Sequence, residues 1–477
     1  MKTHIILTAV SISLALTAGG CGAGEKEKIS VNPEISVQGE TESERSSTAR
    51  IEIGEVSDSG SGTQADTHME TAPNETEAKT ESQTGNFRKE ELISELKQLE
   101  KQAAELETRF SSARSQIDMT RASQDLYELW DGALNQFWGR LKEIMNEEDF
   151  SDLTKEERQW ITKKDAEVSS ASEFCEGGTM YPMVVAGKAA ELTRKRVYEL
   201  AEILSAENGQ ACMDNFSGSY ISPASEETDR LPCNLYLHHL GVGTYDTELG
   251  LGPGASWKLN GIARADGDTL LFEDLTLGVK GTITHKNSGL VFTVTESELE
   301  EAAAGTRFDF PEKYEYPAQF SFADLSGLEF WFGSGAGAWR TVLYVKEDGS
   351  FDGEYLDTDM GSRESYLCDF KGKFTAPEQI NEYTWSVKIE SLELANEPGT
   401  SEMKEDSVWH YSDPYGLTDA DEILFYLPNA PIAELPEDFK SWAAAYSGNM
   451  SIQALLPFYG LYNLNGRQGF SSHPTAG

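Results

Sequence analysis

Few residues in this 477-residue chain stand at spacings that could do chemistry. Asp357-Thr358-Asp359-Met360-Gly361, with Asp348 and Asp352 close by, gathers carboxylates as a hard cation such as calcium prefers, and Asp357 and Asp359 are its candidate ligands. The closing Glu of a calcium loop is missing, so an acidic turn is the simpler account. His238-His239 lacks a third ligand at a recognisable spacing, and adjacent strand residues face opposite ways. Gly333-Ser334-Gly335-Ala336-Gly337 has the glycines of a phosphate loop but no following Lys-Ser/Thr and no helix, which reads as a strand with tight bends. Trp331, Trp339, Trp385 and Trp409 could stack sugar rings, with a buried core as the default. Neither Gly-x-Ser-x-Gly nor His-Glu-x-x-His occurs, so the chain reads as non-enzymatic, with no cofactor and no resident metal.

The sulfur chemistry lies at the start. Met1-Lys2-Thr3-His4 is basic, an apolar run extends from Ile5 to Leu16, and Ala18-Gly19-Gly20 leads into Cys21. A basic start, an apolar stretch of about 7–15 residues and a small-residue cleavage site make a secretory signal peptide, too short for a permanent span. Cys21 directly behind two glycines resembles the lipobox of bacterial lipoproteins, although Ala18 stands where that family usually has Leu. The resemblance implies a signal peptide over 1–20, a lipid on Cys21 and an exported chain anchored to the outer side of the cell membrane. Cys175, Cys212, Cys233 and Cys368 remain, an even number that could pair in an oxidising compartment. Cys212 and Cys233 are near in sequence, but connectivity stays open, and none shows the close Cys-x-x-Cys spacing of a zinc site.

The formal charge of −42 is uneven: residues 22–86 carry −9, residues 87–212 carry −8 and residues 213–477 carry −26. Such a surface repels nucleic acid and anionic lipid heads and attracts cationic partners. It also keeps an exported protein soluble. Hydrophobic residues at 39%, with 10% aromatics, suffice for packed cores, and the length suits two or three domains.

Four kinds of element must position these residues. Residues 21–86 are Glu, Ser, Thr and Gly without aromatics, too little apolar surface to offset ordering entropy, which predicts a disordered acidic tether. Residues 87–210 turn helical. Leu92, Leu96, Leu99, Ala103, Leu106, Phe110, Ala113 and Ile117 follow a heptad seam, and Trp130, Leu134, Phe137, Leu141 and Ile144 mark a second helix over about 122–145. Thr154 and Glu157 read as a capping box opening a third helix, and a break at Gly177-Gly178 precedes a fourth over about 183–204. Past Gln210 the apolar period becomes two, as in Thr269-Leu270-Leu271-Phe272 and Leu290-Val291-Phe292-Thr293-Val294, which predicts antiparallel β-structure. A linker near Pro311–Pro317 divides it into β-rich modules over 211–318 and 319–477, and Asp348-Gly349 in the second marks a hairpin. The fold class is α+β multidomain: a four-helix bundle followed by two antiparallel β-rich modules.

Ala133-Leu134-Asn135-Gln136-Phe137-Trp138, then Arg158-Gln159-Trp160-Ile161, Lys164-Asp165-Ala166, Gly177-Gly178-Thr179 and Leu192-Thr193-Arg194 with Arg196 run in a fixed order. Over about residues 120–205 this order resembles the lysozyme-inhibitor LprI-like N-terminal domain family. Many members carry two cysteines where this chain has Val168 and Val185-Ala186, and Lys164 replaces the usual Arg. The resemblance implies binding and inhibition of lysozyme-type muramidases. A basic lysozyme or another envelope protein is then the expected partner, steered in by the acidic chain. A scaffolding lipoprotein whose β modules bind glycan or calcium is the alternative. Leu134, Asn135, Trp160, Asp165, Thr193, Arg194 and Arg196 are read as structural, with Trp130, Trp138 and Trp160 as core anchors, Asp165 and Arg196 as a partly buried ion pair, and Asn135 bonding a loop. Loops on a rigid frame carry binding residues, so Glu176, Gly177, Gly178, Thr179, Met180 and Tyr181 form the candidate partner-binding loop.

Cys21→Ala should move the protein from the membrane to the soluble fraction on cell fractionation, since lipidation is the anchor this sequence offers. A variant that stays with the membrane overturns the lipobox reading.

Overall fold

The computed structural model describes residues 88–210, 213–222, 233–251, 258–300, 302–335, 339–359, 363–404, 407–447 and 453–475. Cys21, the 21–86 stretch and Cys212 lie outside them. Four helices come first: α1 (Lys89–Ser112), α2 (Gln116–Ile144), α3 (Glu147–Ser172) and α4 (Tyr181–Glu207). No helix of the described residues is long and apolar enough to cross a membrane.

In α1 the buried stripe is Leu92, Leu96, Glu100 and Ala103, the spacing of one helical face. The expected heptad seam does not continue to Ile117. Ala113 is extended at φ −63°, ψ 139°, and Ile117, in the first turn of α2, is 71% exposed. Ser115 caps α2 by accepting the Asp118 N–H at 3.2 Å. The third helix starts seven residues before the expected capping box. Asn146 Oδ1 accepts the N–H groups of Glu148 (3.1 Å) and Asp149 (3.0 Å), and Glu147, Glu148 and Asp149 suit the positive end of the helix dipole. Thr154 therefore lies inside α3, its Oγ1 donating to the Phe150 carbonyl, and Glu157 turns inward.

β1 (Gly218–Ser222), β2 (Cys233–Gly241), β3 (Thr244–Leu251), β4 (Leu259–Asp266), β5 (Thr269–Asp274), β6 (Val279–Lys286), β7 (Gly289–Glu296) and β8 (Arg307–Phe310) pair in sequence order, each antiparallel to the next. The first strand then meets the stretch just past the last: Tyr220 bridges Lys313, and the Tyr314 N–H donates to the Ser219 carbonyl at 2.7 Å. The sheet is thus an eight-stranded up-and-down barrel. Its lumen is filled by one cluster that includes Leu235, Tyr245, Ala263, Phe272, Ile283, Phe292 and Phe310.

The second sheet starts with β9 (Leu328–Gly333), β10 (Trp339–Val345), β11 (Ser350–Asp359) and β12 (Glu364–Phe374). Gly349, at φ 78°, supplies the left-handed turn of the expected β10–β11 hairpin. After the short β13 (Glu378–Gln379), β14 (Thr384–Val387) and β15 (Ile389–Leu394) are two halves of one bent strand. β16 (Ser401–Lys404) and β17 (Ser407–Tyr411) follow, then β18 (Ile423–Tyr426), β19 (Gly460–Asn463) and β20 (Gln468–Pro474). β14 pairs with β18 whereas β15 pairs with β12, and β20 returns to β9. Counting the bent strand once, β9, β10, β11, β12, β14/β15, β18, β19 and β20 close a second eight-stranded up-and-down barrel. Phe330, Phe332, Phe351, Phe370, Phe374, Trp385, Phe425 and Phe470 fill it. The β16–β17 hairpin extends one wall past the rim through the parallel β12–β17 pairing. α5 (Glu437–Ser447) lays Phe439 and Ala443 on Tyr426 and Tyr462.

The barrels touch through β2. Asn234 donates to Gln453 Oε1 (2.9 Å) and accepts the Ala454 N–H (2.9 Å), and the Tyr236 hydroxyl donates to Glu434 (3.1 Å).

Candidate functional site

α4 sends two arginines in opposite directions, because residues two apart on a helix lie on different faces. Arg194 faces α1 and the first barrel. Its Nε donates to Glu100 Oε1 at 2.8 Å, and its two Nη groups grip both oxygens of Asp246 on β3 at 2.7 and 2.9 Å. The guanidinium lies 5.9 Å from the Trp130 ring and 5.5 Å from that of Tyr198, whose hydroxyl also donates to Glu100. Burial works against both charges, yet Arg194 holds the Asp246 carboxyl below its ordinary value, and Asp246 with Glu100 holds the guanidinium well above its own. Docking is tightened by the Val242 N–H, which donates to Glu202 Oε2 at 2.5 Å, and by Gly241, where a Cβ would stand 2.7 Å from the Tyr198 carbonyl oxygen.

Arg196 faces α3 instead. It donates to Glu157 (2.8 Å), Glu156 (2.9 Å) and Glu199 (2.6 Å), and its guanidinium lies 5.9 Å from the Trp160 ring. The expected Asp165–Arg196 pair does not form. Asp165 is exposed on α3, while Glu157, two turns earlier, occupies the buried position opposite α4. Desolvation raises the Glu157 carboxyl, with Arg196 only partly opposing it. Thr193 is buried, its Oγ1 returned to the Ala189 carbonyl at 2.7 Å, and Leu134 is core. Asn135 bonds no loop: its amide donates to the carbonyl (2.8 Å) and carboxylate (3.1 Å) of Asp131, one turn back in α2. Trp130 is fully buried, whereas Trp138 and Trp160 are half-buried, Trp138 against Phe150 and Trp160 beneath Lys164.

Between α3 and α4 a single 3₁₀ turn, Glu173–Cys175, leads into the candidate loop. Glu176, Gly177, Gly178 and Thr179 are exposed, Met180 and Tyr181 half-buried. Gly177 takes φ 73°, and the Gly178 N–H closes a turn on the Cys175 carbonyl at 2.9 Å. One side of the loop is held by Arg467, in the β19–β20 turn, which reaches Glu173 (2.5 Å) and Ser170 (3.1 Å). On the other side Pro182 opens α4. The result is a short polar projection on a frame fixed at both ends.

The remaining candidates separate. Trp385 is core, Trp331 lies against Arg340 and His473, and Trp409 lies beneath Lys404, so the four tryptophans do not form one platform. His238 meets Glu434 and Tyr236, while His239 packs on Tyr245. Asp357 and Asp359 are on β11, and among the described residues no group of three or more His, Cys, Asp or Glu could hold a metal ion. Cys175 and Cys368 carry free thiols, and burial pushes that of Cys368 up to about 12. Sequence reading missed Glu100, Glu157, Asp246, Tyr198 and Arg467. Glu100 left one signal, an acid inside the apolar stripe of α1.

A family model described as lysozyme inhibitor LprI matches residues 108–200. An uncharacterized protein of Rhizobium meliloti is 34% identical over 110 residues, which cover 20% of this chain and 79% of the relative. No solved structure matches the chain.

Arg194→Met leaves Glu100 and Asp246 facing each other without their cation, and should cost about 3–5 kcal/mol in denaturant unfolding. A loss below about 1 kcal/mol would show that the joint is not needed.

Proposed function

We propose, from this chain's membership of the lysozyme inhibitor LprI family through residues 108–200, that it binds and inhibits a lysozyme-type muramidase at the outer face of the cell envelope. The observation that carries the reading is the loop between α3 and α4: Glu176 to Thr179 project from a corner braced by Arg467–Glu173 and by the start of α4. A muramidase cleft is concave and holds two catalytic carboxylates. A narrow projection with few rotamers to freeze enters such a cleft at low entropic cost. Thr179 and the amide of Gly177 offer donors to those carboxylates, and Glu176 offers an acceptor to basic groups at the rim. The lipid on Cys21 and the tether hold the inhibitor where the enzyme arrives.

Charge supports the same partner. Lysozymes are usually strongly basic, and the −26 of residues 213–477 belongs to the barrel region, so most of the steering field comes from outside the helical domain. Screening limits that field to about 8–10 Å at moderate salt, so it acts on association more than on the final fit.

The full chain in molar excess should abolish cell-wall lysis by a basic lysozyme, with slower association as salt rises from about 20 to 200 mM. Gly177→Val, which strains a position at φ 73°, and Glu176→Lys should each weaken inhibition at least tenfold while leaving the unfolding midpoint near the parent value. Undiminished lysis beside excess protein overturns the inhibitor reading. Full inhibition by both variants overturns the loop.

A further inference from the structure

One rim of the second barrel combines ring faces and a carboxylate in a row. Trp339 on β10 stands directly opposite Asp357 on β11, and Asp357 directly opposite Tyr366 on β12. Tyr366 in turn stacks on His410 of β17, with centroids 4.8 Å apart and planes at 20°. Opposed residues share a face, so Trp339, Asp357, Tyr366 and His410 form one line across four strands, about 14 Å long at the usual strand spacing. Tyr415 leans over the Trp339 end, 4.9 Å from Trp339 and 5.7 Å from Tyr355. Tyr415 is 38% and Tyr366 39% exposed.

We propose that this row is a binding site for a neutral oligosaccharide. The barrel lumen is closed to a ligand by its buried phenylalanines, so anything bound must lie along the rim. Ring faces are electron-rich and attract the weakly positive C–H face of a pyranose. A carboxylate between two such rings accepts the hydroxyls on the sugar's edge, a polar contact that an aliphatic chain would not make. Asp357 and Glu364, 4.0 Å from His410, disfavour an anionic glycan. The elongated row suits a chain of sugar rings better than a compact cation, which a closed aromatic cage would hold.

The test is calorimetric titration of the full chain with a tetramer of N-acetylglucosamine and with cellotetraose. At least one should bind, and Tyr366→Ala and Trp339→Ala should each weaken binding tenfold or more. Trp331→Phe, on the outer face of β9, should leave it unchanged. Tyr366 is exposed enough that its removal should keep the fold, which the unfolding midpoint checks. Absence of heat with both sugars at millimolar concentration overturns the proposal. So does binding indifferent to Tyr366→Ala, or a preference for choline over either sugar.

Discussion

The whole described chain hangs on a charge that sits where charges are expensive. Arg194 is held by Glu100 from α1 and by Asp246 from the first barrel, with Trp130 and Tyr198 on its faces. Each partner alone would be a poor bargain, because desolvating an ion costs several kcal/mol. Together they satisfy a planar fork with directional acceptors, and the fork allows few relative orientations of helix and barrel. A hydrophobic seam of the same area would hold the parts together as firmly but let them slide. The ionic joint supplies orientation, and orientation is what a projecting loop and a barrel rim need if they are to face the same solvent.

From Arg194 the constraint passes along rigid elements. α4 carries Arg196, whose bonds to Glu157 and Glu156 set the register of α3. α3 ends at Glu173, which Arg467 ties to the second barrel. Arg467 occupies the same turn as Asn463, whose amide holds the carbonyls of Gly416 and Thr418 and so fixes the segment carrying Tyr415. The loop at Glu176–Tyr181 and the aromatic rim are linked by this run of polar contacts rather than by a shared core.

Period, not composition, made the fold class readable. Apolar steps of three and four marked the helices, and the change to steps of two marked the β region. Closure of the barrels was invisible, because it depends on pairings between strands far apart in the chain, such as β20 with β9, and on a bend at Lys388 that no residue type announces. The start of α3 differs for a physical reason: Thr154–Glu157 fits the capping pattern, but Asn146 caps the helix two turns earlier by accepting two N–H groups, which leaves Thr154 inside the helix. Arg196 had several acids within helical reach, and only the packing register of α3 on α4 selects Glu157 over Asp165. Glu100 was legible in hindsight as an acid in an apolar stripe. Asp246 was not, since nothing in a β-strand acid says which distant arginine it meets.

Two barrels with filled lumens narrow where function can lie. Eight strands leave just enough room for side chains or for one small ligand, and in both barrels side chains occupy it. Walls of antiparallel strands with charged outer faces are resistant to aggregation but chemically repetitive. What remains are the ends, where loops and strand extensions break the pattern. In the second barrel the end bearing Trp339, Tyr366 and Tyr415 is also the end whose β19–β20 turn grips α3. If the two proposed contacts are made together on that side, simultaneous engagement raises the effective concentration of the loop near a partner that acts on such sugars. The acidity acts over longer range than either contact, and would draw the proposed basic partner toward a surface already oriented by one buried arginine.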